Sequence, residues 1–315
     1  MAKVLKSSDL IRSIKRRAMI PTNQRTFTDA DFLEMINEEL NDGLLPHVLQ
    51  VHEEFYVTYE DQAIQSDVER YPIPYRATGN KLRDVAYVDQ VGQHFELGQI
   101  TVDEISDFQR LYTTTNKNVF YIQNTDIVLP NNLYAGSGFL RSYYYIRPNT
   151  LVLETETGQI QSIDRVSGTI VLDNVPDSFT NLQEMDFIAQ RSPSKIISFD
   201  KTPTSVNQVT KSIVFDPSDI PSDLIIGDYI CLKEETPVPQ LPVELHALLA
   251  QRVAVHCLEA LGDTQGLANA QRKLQEMEVN TLKLIDSRVD GAPQKINQRN
   301  GTLVESIGRR RTYKP

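Results

Sequence analysis

The apolar residues of this chain recur at helical spacing near both ends and in short runs between them. This pattern predicts helices at the two ends and strands in the middle. Near the N-terminus we expect a short helix that Ser7 or Ser8 can cap. Its apolar side carries Leu10, Ile11 and Ile14.

A second helix is predicted to begin after Thr28, because Thr28 and Asp31 have the spacing of a capping box. The apolar residues that follow at helical spacing are Phe32, Leu33, Ile36 and Leu40. Gly43 is predicted to end this helix. A third helix is predicted directly afterwards, with Pro46 in its first turn, where the missing N–H is tolerated.

The next stretch leads into a long region of predicted β structure. Pro72 and Pro74 favour extended backbone, and the pair Gly79–Asn80 indicates a turn. From residue 85 to residue 236, short apolar runs are separated by Asn, Asp, Gly, Ser and Pro, which is typical of strands joined by loops.

An internal near-repeat lies within this β region. The segment GTIVLDNVPDSFTNLQEMDFI at 168–188 resembles KSIVFDPSDIPSDLIIGDYICL at 211–232. Two copies are too few for a solenoid, and they favour a small barrel or sandwich built from strand–loop–strand units. The aspartates that both copies share are interpreted as turn formers that bind local backbone.

The C-terminal part has the clearest helical pattern in the chain. One helix is predicted from Pro242, with Leu245, Leu248, Leu249, Val253, Cys257 and Leu261 on a common side. Gly262 is predicted to end it in a left-handed conformation, and Asp263 to cap the next helix. The second helix repeats apolar residues every three or four positions, so the two helices are expected to pack as an antiparallel hairpin.

The pattern as a whole predicts an α+β protein. Neither helical part buries enough apolar surface alone, so we expect both to form one helical domain, with an all-β domain (barrel or sandwich-like) inserted between them. The predicted divisions are a basic N-terminal arm with a short helix, 1–24; a helical segment, 25–84; the β domain, 85–236; the helical hairpin, 237–290; and an extended basic arm, 291–315.

Charge is distributed unevenly along the chain. The net charge is −10, whereas residues 1–20 and residues 291–315 each carry +5, so the residues between them hold −20. Basic ends are typical of segments that bind nucleic acid or an acidic partner surface. An acidic body repels DNA, which argues against a sequence-specific DNA-binding protein.

Motifs of catalysis, metal binding and membrane insertion are not evident in the sequence. The chain has no phosphate-binding loop, nucleophile elbow or HExxH motif, and its five histidines lack the spacing of metal ligands. His246 and His256 are interpreted as satisfied polar positions at the edge of the helical pattern. Cys231 and Cys257 are interpreted as buried apolar side chains. We therefore predict a non-enzymatic protein that needs no cofactor, spans no membrane and is made in a cytoplasm.

Three segments carry a resemblance to a known class of proteins. FTDADFLEMINEELNDGLLPHVLQVHEEFYVTYED followed by YPIPYRATGNKLRDV resembles structural proteins encoded in the morphogenesis clusters of tailed bacteriophages. The hairpin PVELHALLAQRVAVHCLEALGDTQGLANAQRKLQEMEVNTLKLID looks like the helical core of head–tail connector adaptors. The final segment, SRVDGAPQKINQRNGTLVESIGRRRTYKP, is similar to the extensions with which adaptors reach the portal.

The resemblance implies a structural virion protein of the phage neck. Such a protein forms a ring, commonly of twelve copies, which docks onto the portal, contacts an adjacent neck or tail protein and lets DNA pass without sequence-specific binding. The residues expected to bind the partner ring are Lys295, Arg299, Leu303, Ile307, Arg309, Arg310, Arg311 and Tyr313. Those expected to line the DNA channel are Glu34, Glu38, Glu39, Asp42, Glu53 and Glu54.

Two other functions stay open at the level of sequence. The large β region, which the smallest adaptors lack, favours another layer of the neck or tail, such as a head-closure or tail-completion protein. The many acidic residues also permit a metal-dependent hydrolase or nuclease, provided that several of them converge in one pocket.

Overall fold

A computed structural model of the protein describes residues 4–21, 26–66, 68–105, 119–130, 137–191 and 195–284. Helices and sheets occur in similar amounts, which confirms the α+β class. The helices are α1 Ser7–Arg17, α2 Asp29–Glu38, α3 Leu45–Val51, α4 His246–Leu261 and α5 Thr264–Leu284. Within the described ranges, no helix is both long and apolar enough to cross a membrane.

Short helical turns and seventeen strands complete the described structure. The turns are a π-helical turn at Glu39–Leu44 and 3-10 turns at Glu53–Tyr56, Val102–Glu104, Glu154–Glu156, Pro217–Asp219 and Val243–Leu245. The strands are β1 Val57–Ala63, β2 Arg70–Pro72, β3 Ala77–Val88, β4 His94–Glu96, β5 Gly98–Gln99, β6 Val119–Gln123, β7 Asp126–Val128, β8 Phe139–Ile146, β9 Thr150–Leu151, β10 Gly158–Asp164, β11 Thr169–Leu172, β12 Met185–Ile188, β13 Ile196–Lys201, β14 Ser205–Asn207, β15 Ser212–Val214, β16 Tyr229–Leu232 and β17 Glu235–Thr236.

The helix ends predicted at Thr28 and Gly262 are confirmed, whereas the cap by Ser7 or Ser8 is wrong, because α1 begins at Ser7 without a side-chain capping bond. Thr28 accepts a hydrogen bond from the main-chain N of Asp31, and Asp31 accepts one from Thr28, so the capping box is formed. Gly262 ends α4 with a left-handed φ of 71°, and Asp263 accepts from the main-chain N of Gly266. The prediction for Gly43 is wrong, because the helical backbone continues through it into α3.

The N-terminal and C-terminal helices share one hydrophobic core. Leu10 and Ile14 of α1, together with Phe32 of α2, are fully buried in the same cluster as Leu249 and Val253 of α4. The short helix predicted within residues 1–24 is therefore present at Ser7–Arg17, and it is packed into the core. The predicted C-terminal arm, residues 291–315, lies outside the described residues.

The strands between these helices enclose two separate cores. Two four-stranded sheets, ordered β1-β8-β3-β4 and β2-β7-β6-β5, surround the first, which contains Tyr71, Leu140 and Tyr144. The β structure begins at Val57, earlier than the predicted boundary at residue 85, and a division into one β domain is too coarse. Gly79 and Asn80, both with positive φ, make an irregularity within β3 and not the predicted turn between strands.

The second β core is built from the near-repeat. Its seven-stranded sheet is ordered β13-β12-β16-β10-β11-β15-β14, and equivalent strands of the two repeats lie beside each other. Ile170 of β11 lies opposite Ile213 of β15, and these two are equivalent residues of the repeat. Side chains from both halves of the sheet meet in one cluster, so the sheet bends around its own core. Among the described strands its two outer members, β13 and β14, remain edges, and their pairing does not close it into a barrel.

Candidate functional site

Three of the acidic residues predicted to line a channel form an exposed stripe, which we call the acidic stripe. Glu34 and Glu38 lie on α2 and Asp42 on the turn that continues it, and all three are solvent-exposed. The spacing of four residues places them along one side of the helix. Among the described residues none of the three makes an ion pair, so nothing neutralises the charge of the stripe.

Glu39 belongs to a different environment from the acidic stripe. It is buried, with 7% of its surface exposed, and its carboxylate accepts a hydrogen bond of 2.6 Å from Arg252 of α4. Arg252 also donates to Glu278 of α5 at 2.6 Å, and His256 lies 3.4 Å from Glu39. These contacts tie α2, α4 and α5 together, so the prediction that Glu39 lines a channel is corrected.

Glu53 and Glu54 are exposed but are already bound by neighbouring strands. Glu54 accepts from both terminal nitrogens of Arg83 on β3, and these bonds lower the pKa of its carboxyl group. Glu53 accepts from the hydroxyl of Tyr145 on β8 at 3.3 Å. The structure therefore brings Glu34, Glu38 and Asp42 together on one exposed side. The other three predicted acids, Glu39, Glu53 and Glu54, are each bound by another side chain.

A buried ion-pair network joins the two β cores, and we call it the Arg76 network. Arg76, which lies between β2 and β3, is 2% exposed and donates two hydrogen bonds of 2.9 Å to Asp186 on β12, which is fully buried. It also donates to Asp200 on β13 at 2.8 Å and to Asn149 at 3.2 Å. Its Nε donates to the hydroxyl of Tyr75 at 2.8 Å.

The buried carboxylate of Asp186 accepts hydrogen bonds from several donors. Besides Arg76 it accepts from the side chain of Asn149 at 2.7 Å and from the main-chain N–H groups of Asp200 and Glu234. Both donors of these main-chain bonds have a left-handed φ, 57° for Asp200 and 62° for Glu234, which non-glycine residues seldom adopt. Burial alone would lower the pKa of Arg76, but its two carboxylate partners raise it, so the guanidinium stays charged.

The sequence did not reveal this network. Asp186 and Asp228 occupy equivalent places in the near-repeat, and both were interpreted as turn formers. For Asp228 this is confirmed, since it accepts from the main-chain N–H of Ile225 in its own turn. Asp228 also accepts from the main-chain N–H of Gln190, which is distant in sequence. For Asp186 it is wrong, because its main partner is Arg76, more than a hundred residues away. The only indication in the sequence was that both copies of the repeat have Asp at this position.

Other predicted side chains fall where a structural role explains them. His246 is buried rather than at an edge, accepts from the main-chain N of Leu5 at 3.1 Å, and has its pKa lowered to about 4 by burial. His256 is exposed beside Glu39. Cys231 and Cys257 are unpaired and fully buried, as expected. Within the described ranges no three His, Cys, Asp or Glu side chains are grouped to hold a metal ion.

The residues predicted to bind a partner ring lie outside the described residues. They are Lys295, Arg299, Leu303, Ile307, Arg309, Arg310, Arg311 and Tyr313. The chain was also compared with known proteins. No protein-family description matches it, and no curated protein matches its sequence.

Proposed function

We propose that this chain is a structural protein of the head-to-tail neck of a tailed bacteriophage, where copies of it form a ring that docks onto the portal and continues the DNA channel. The observation that carries the proposal is the acidic stripe of Glu34, Glu38 and Asp42, which is exposed and has no ion-pair partner among the described residues. A wall with this charge repels phosphate groups, so DNA slides past it without binding.

The shared helical core supports the same proposal. Glu39, Arg252 and Glu278 fix α2 against the C-terminal helices, so the acidic stripe is presented by a packed scaffold and not by a loop. A rigid support keeps a channel wall at constant width when the same surface is repeated around a ring. We propose that the helices form one domain into which the two β cores are inserted.

Docking onto the portal is assigned to the C-terminal arm. Residues 291–315 carry +5 and few apolar residues, among them Leu303 and Ile307. Arg309, Arg310 and Arg311 suit charge-assisted bonds to carboxylates of a neighbouring ring. Weak contacts of this kind add up when they are repeated around a ring.

The two β cores favour a second candidate within the virion. The strands from Val57 to Thr236 make up a larger part of the described chain than the helices that carry the acidic stripe. Extra β structure suits a layer that contacts tail proteins as well as the portal. Images of assembled necks distinguish the two candidates by showing whether the helices or the strands face the portal.

The proposal is tested by mass photometry and negative-stain electron microscopy of the purified protein with the portal protein encoded beside it. We expect rings of about twelve copies with an open centre, and co-sedimentation with portal rings. Truncation after Ser287 should leave the protein folded but abolish co-sedimentation. A monomer that ignores the portal, or a gene neighbourhood without portal or capsid genes, would overturn the proposal.

A further inference from the structure

A groove with a cavity volume of about 480 Å³ separates the two β cores. One wall is the start of β1, Val57–Tyr59, with the turn before it, and the other is β13. The walls are mainly apolar, through Phe55, Val57, Tyr59, Ile196, Ile197 and Phe199. Phe199 is fixed from behind by Arg76, whose guanidinium carbon lies 4.9 Å from the centre of its ring. The groove is therefore supported by the network that joins the two cores.

Both walls of the groove are open strand edges. β1 is the outermost strand of its four-stranded sheet, and β13 is the outermost strand of the seven-stranded sheet. Every second residue of an edge strand directs its N–H and C=O away from the sheet, where no strand of the described chain pairs with them. With seven residues, β1 offers such groups along roughly 23 Å. An extended polypeptide is the ligand whose own groups alternate in the same way.

A buried side chain at the base of the groove lacks a hydrogen-bond partner. Gln240 lines the groove and is 4% exposed. Its Oε1 accepts from the main-chain N of Asn149 at 2.7 Å, and its main-chain oxygen accepts from the hydroxyl of Tyr56 at 2.8 Å. Among the described residues its Nε2 has no acceptor. A buried N–H left unpaired costs about 1–3 kcal/mol, so this group calls for an acceptor such as a main-chain carbonyl.

The charge beside the groove indicates the sign of the charge on the ligand. Glu53 and Glu60 flank the β1 wall, and neither forms an ion pair among the described residues. On the other wall Lys195 is matched by Asp223 at 3.8 Å. Lys81, whose ammonium lies 4.9 Å from the ring centre of Tyr145, offsets one of these two carboxylates. The charge that is left is negative, which favours a ligand with basic residues beside its apolar ones.

We propose that this groove binds an extended, apolar segment of a partner polypeptide that carries flanking basic residues and adds as a strand to the free edge of β1. The segment pairs its main chain with β1, places alternate apolar side chains against Phe55 and Phe199, and offers a carbonyl to Nε2 of Gln240. Main-chain pairing supplies affinity, while the apolar walls and Glu53 and Glu60 select the sequence. The proposal does not depend on a role in a phage neck.

The test uses the full-length protein and a displayed library of random twelve-residue peptides. Selected peptides should alternate apolar residues, carry Lys or Arg at the flanks and protect the main-chain amides of β1 from hydrogen exchange. A synthetic copy of the best peptide, methylated on alternate main-chain nitrogens, gives the matched control. Methylation in the register that faces β1 should weaken binding at least tenfold, and methylation in the other register should change it little.

Two protein variants complete the test. Glu53→Lys with Glu60→Lys, on exposed or half-exposed positions, should weaken the peptide several-fold and lower the melting temperature only slightly, through loss of the bond from Tyr145 to Glu53. Gln240→Leu, checked for folding by circular dichroism, should weaken it further by removing the amide donor. The proposal is overturned if no peptide is enriched, if enriched peptides leave the exchange of β1 unchanged, or if methylation in either register has the same effect. Binding of small apolar dyes without strand protection would likewise show a ligand pocket of another kind.

Discussion

Glu39 and Arg252 lie 213 positions apart in sequence, and their side chains meet through a hydrogen bond of 2.6 Å. The bond crosses from the π-helical turn that follows α2 to the middle of α4, and so joins the first helices of the chain to the last. It passes directly beside Gly43. A Cβ atom placed on Gly43 would lie 1.9 Å from Oε1 of Glu39 and 2.8 Å from Nη1 of Arg252. A side chain at this position would therefore displace the ion pair, and the glycine does not end a helix.

Substitution of Gly43 should destabilise the protein by displacing this ion pair. Gly43→Ala improves intrinsic helix propensity, yet the new methyl group forces the buried Glu39 carboxylate away from Arg252. We expect the free energy of unfolding, measured by urea denaturation, to fall by about 1–3 kcal/mol.

A double-mutant cycle gives the control for Gly43. In a Glu39→Ala background there is no carboxylate to displace, so the loss caused by Gly43→Ala should shrink to less than half. An equal loss in both backgrounds would contradict the explanation. It would show that the backbone at Gly43, and not the ion pair, resists the larger residue.

The Arg76 network should be sensitive to loss of its only buried cation. Arg76→Met leaves the fully buried Asp186 without a counter-charge, and removal of one partner of a buried pair costs about 3–5 kcal/mol. Urea denaturation should show this loss. Adding Asp186→Asn, which removes the uncompensated charge, should restore part of the stability.

Lys201→Met serves as the comparison for the buried network. Lys201 pairs with Asp219 at 2.8 Å, but both side chains are partly exposed, so the loss should stay below about 1 kcal/mol. If Arg76→Met proves equally mild, the network contributes little beyond an exposed salt bridge. In that case the two β cores must be joined by other contacts.

The sequence predicted those parts of the fold that depend on neighbouring residues. Thr28 with Asp31, and Gly262 with Asp263, act within one helical turn, so their spacing is visible directly. Arg76 and Asp186 depend on contacts between distant strands, for which one sequence carries no pattern. The prediction for Gly43 was wrong because a single sequence does not distinguish a glycine that ends a helix from one that lies against an ion pair. Exposure of Glu34 and burial of Glu39 were likewise settled by tertiary packing.

Buried His246 should make stability depend on pH between about 6.5 and 5. Burial lowers its pKa to about 4, so the unfolded chain binds a proton in this range and the folded chain does not. Stability is fully present above pH 6.5 and is lost as the pH falls toward 4. Thermal unfolding should show a loss of about 2 kcal/mol between pH 7 and pH 5.

Substitution of His246 isolates this contribution. In His246→Asn the amide oxygen can still accept from the main-chain N of Leu5, but the side chain does not titrate, so the change between pH 7 and pH 5 should be smaller than in the wild type. His94→Asn, on the exposed strand β4, should keep the wild-type dependence. Identical pH profiles for His246→Asn and the wild type would assign the effect to other groups.

Reversing the charge of the acidic stripe tests the proposed DNA channel most directly. The triple variant Glu34→Lys, Glu38→Lys and Asp42→Lys should fold with nearly unchanged stability, because all three residues are exposed and make no ion pair among the described residues. It should bind duplex DNA in a fluorescence anisotropy assay at low salt, with affinity that falls steeply as salt rises, whereas the wild type should not bind.

A variant with the same charge change at the scattered exposed residues Asp103, Asp177 and Glu276 provides the control. The conduit explanation requires the stripe variant to bind DNA more tightly than this control, because three new cations on one face act on the same stretch of phosphates. Equal binding by both variants would show that net charge alone governs the interaction and that the stripe has no special place beside DNA.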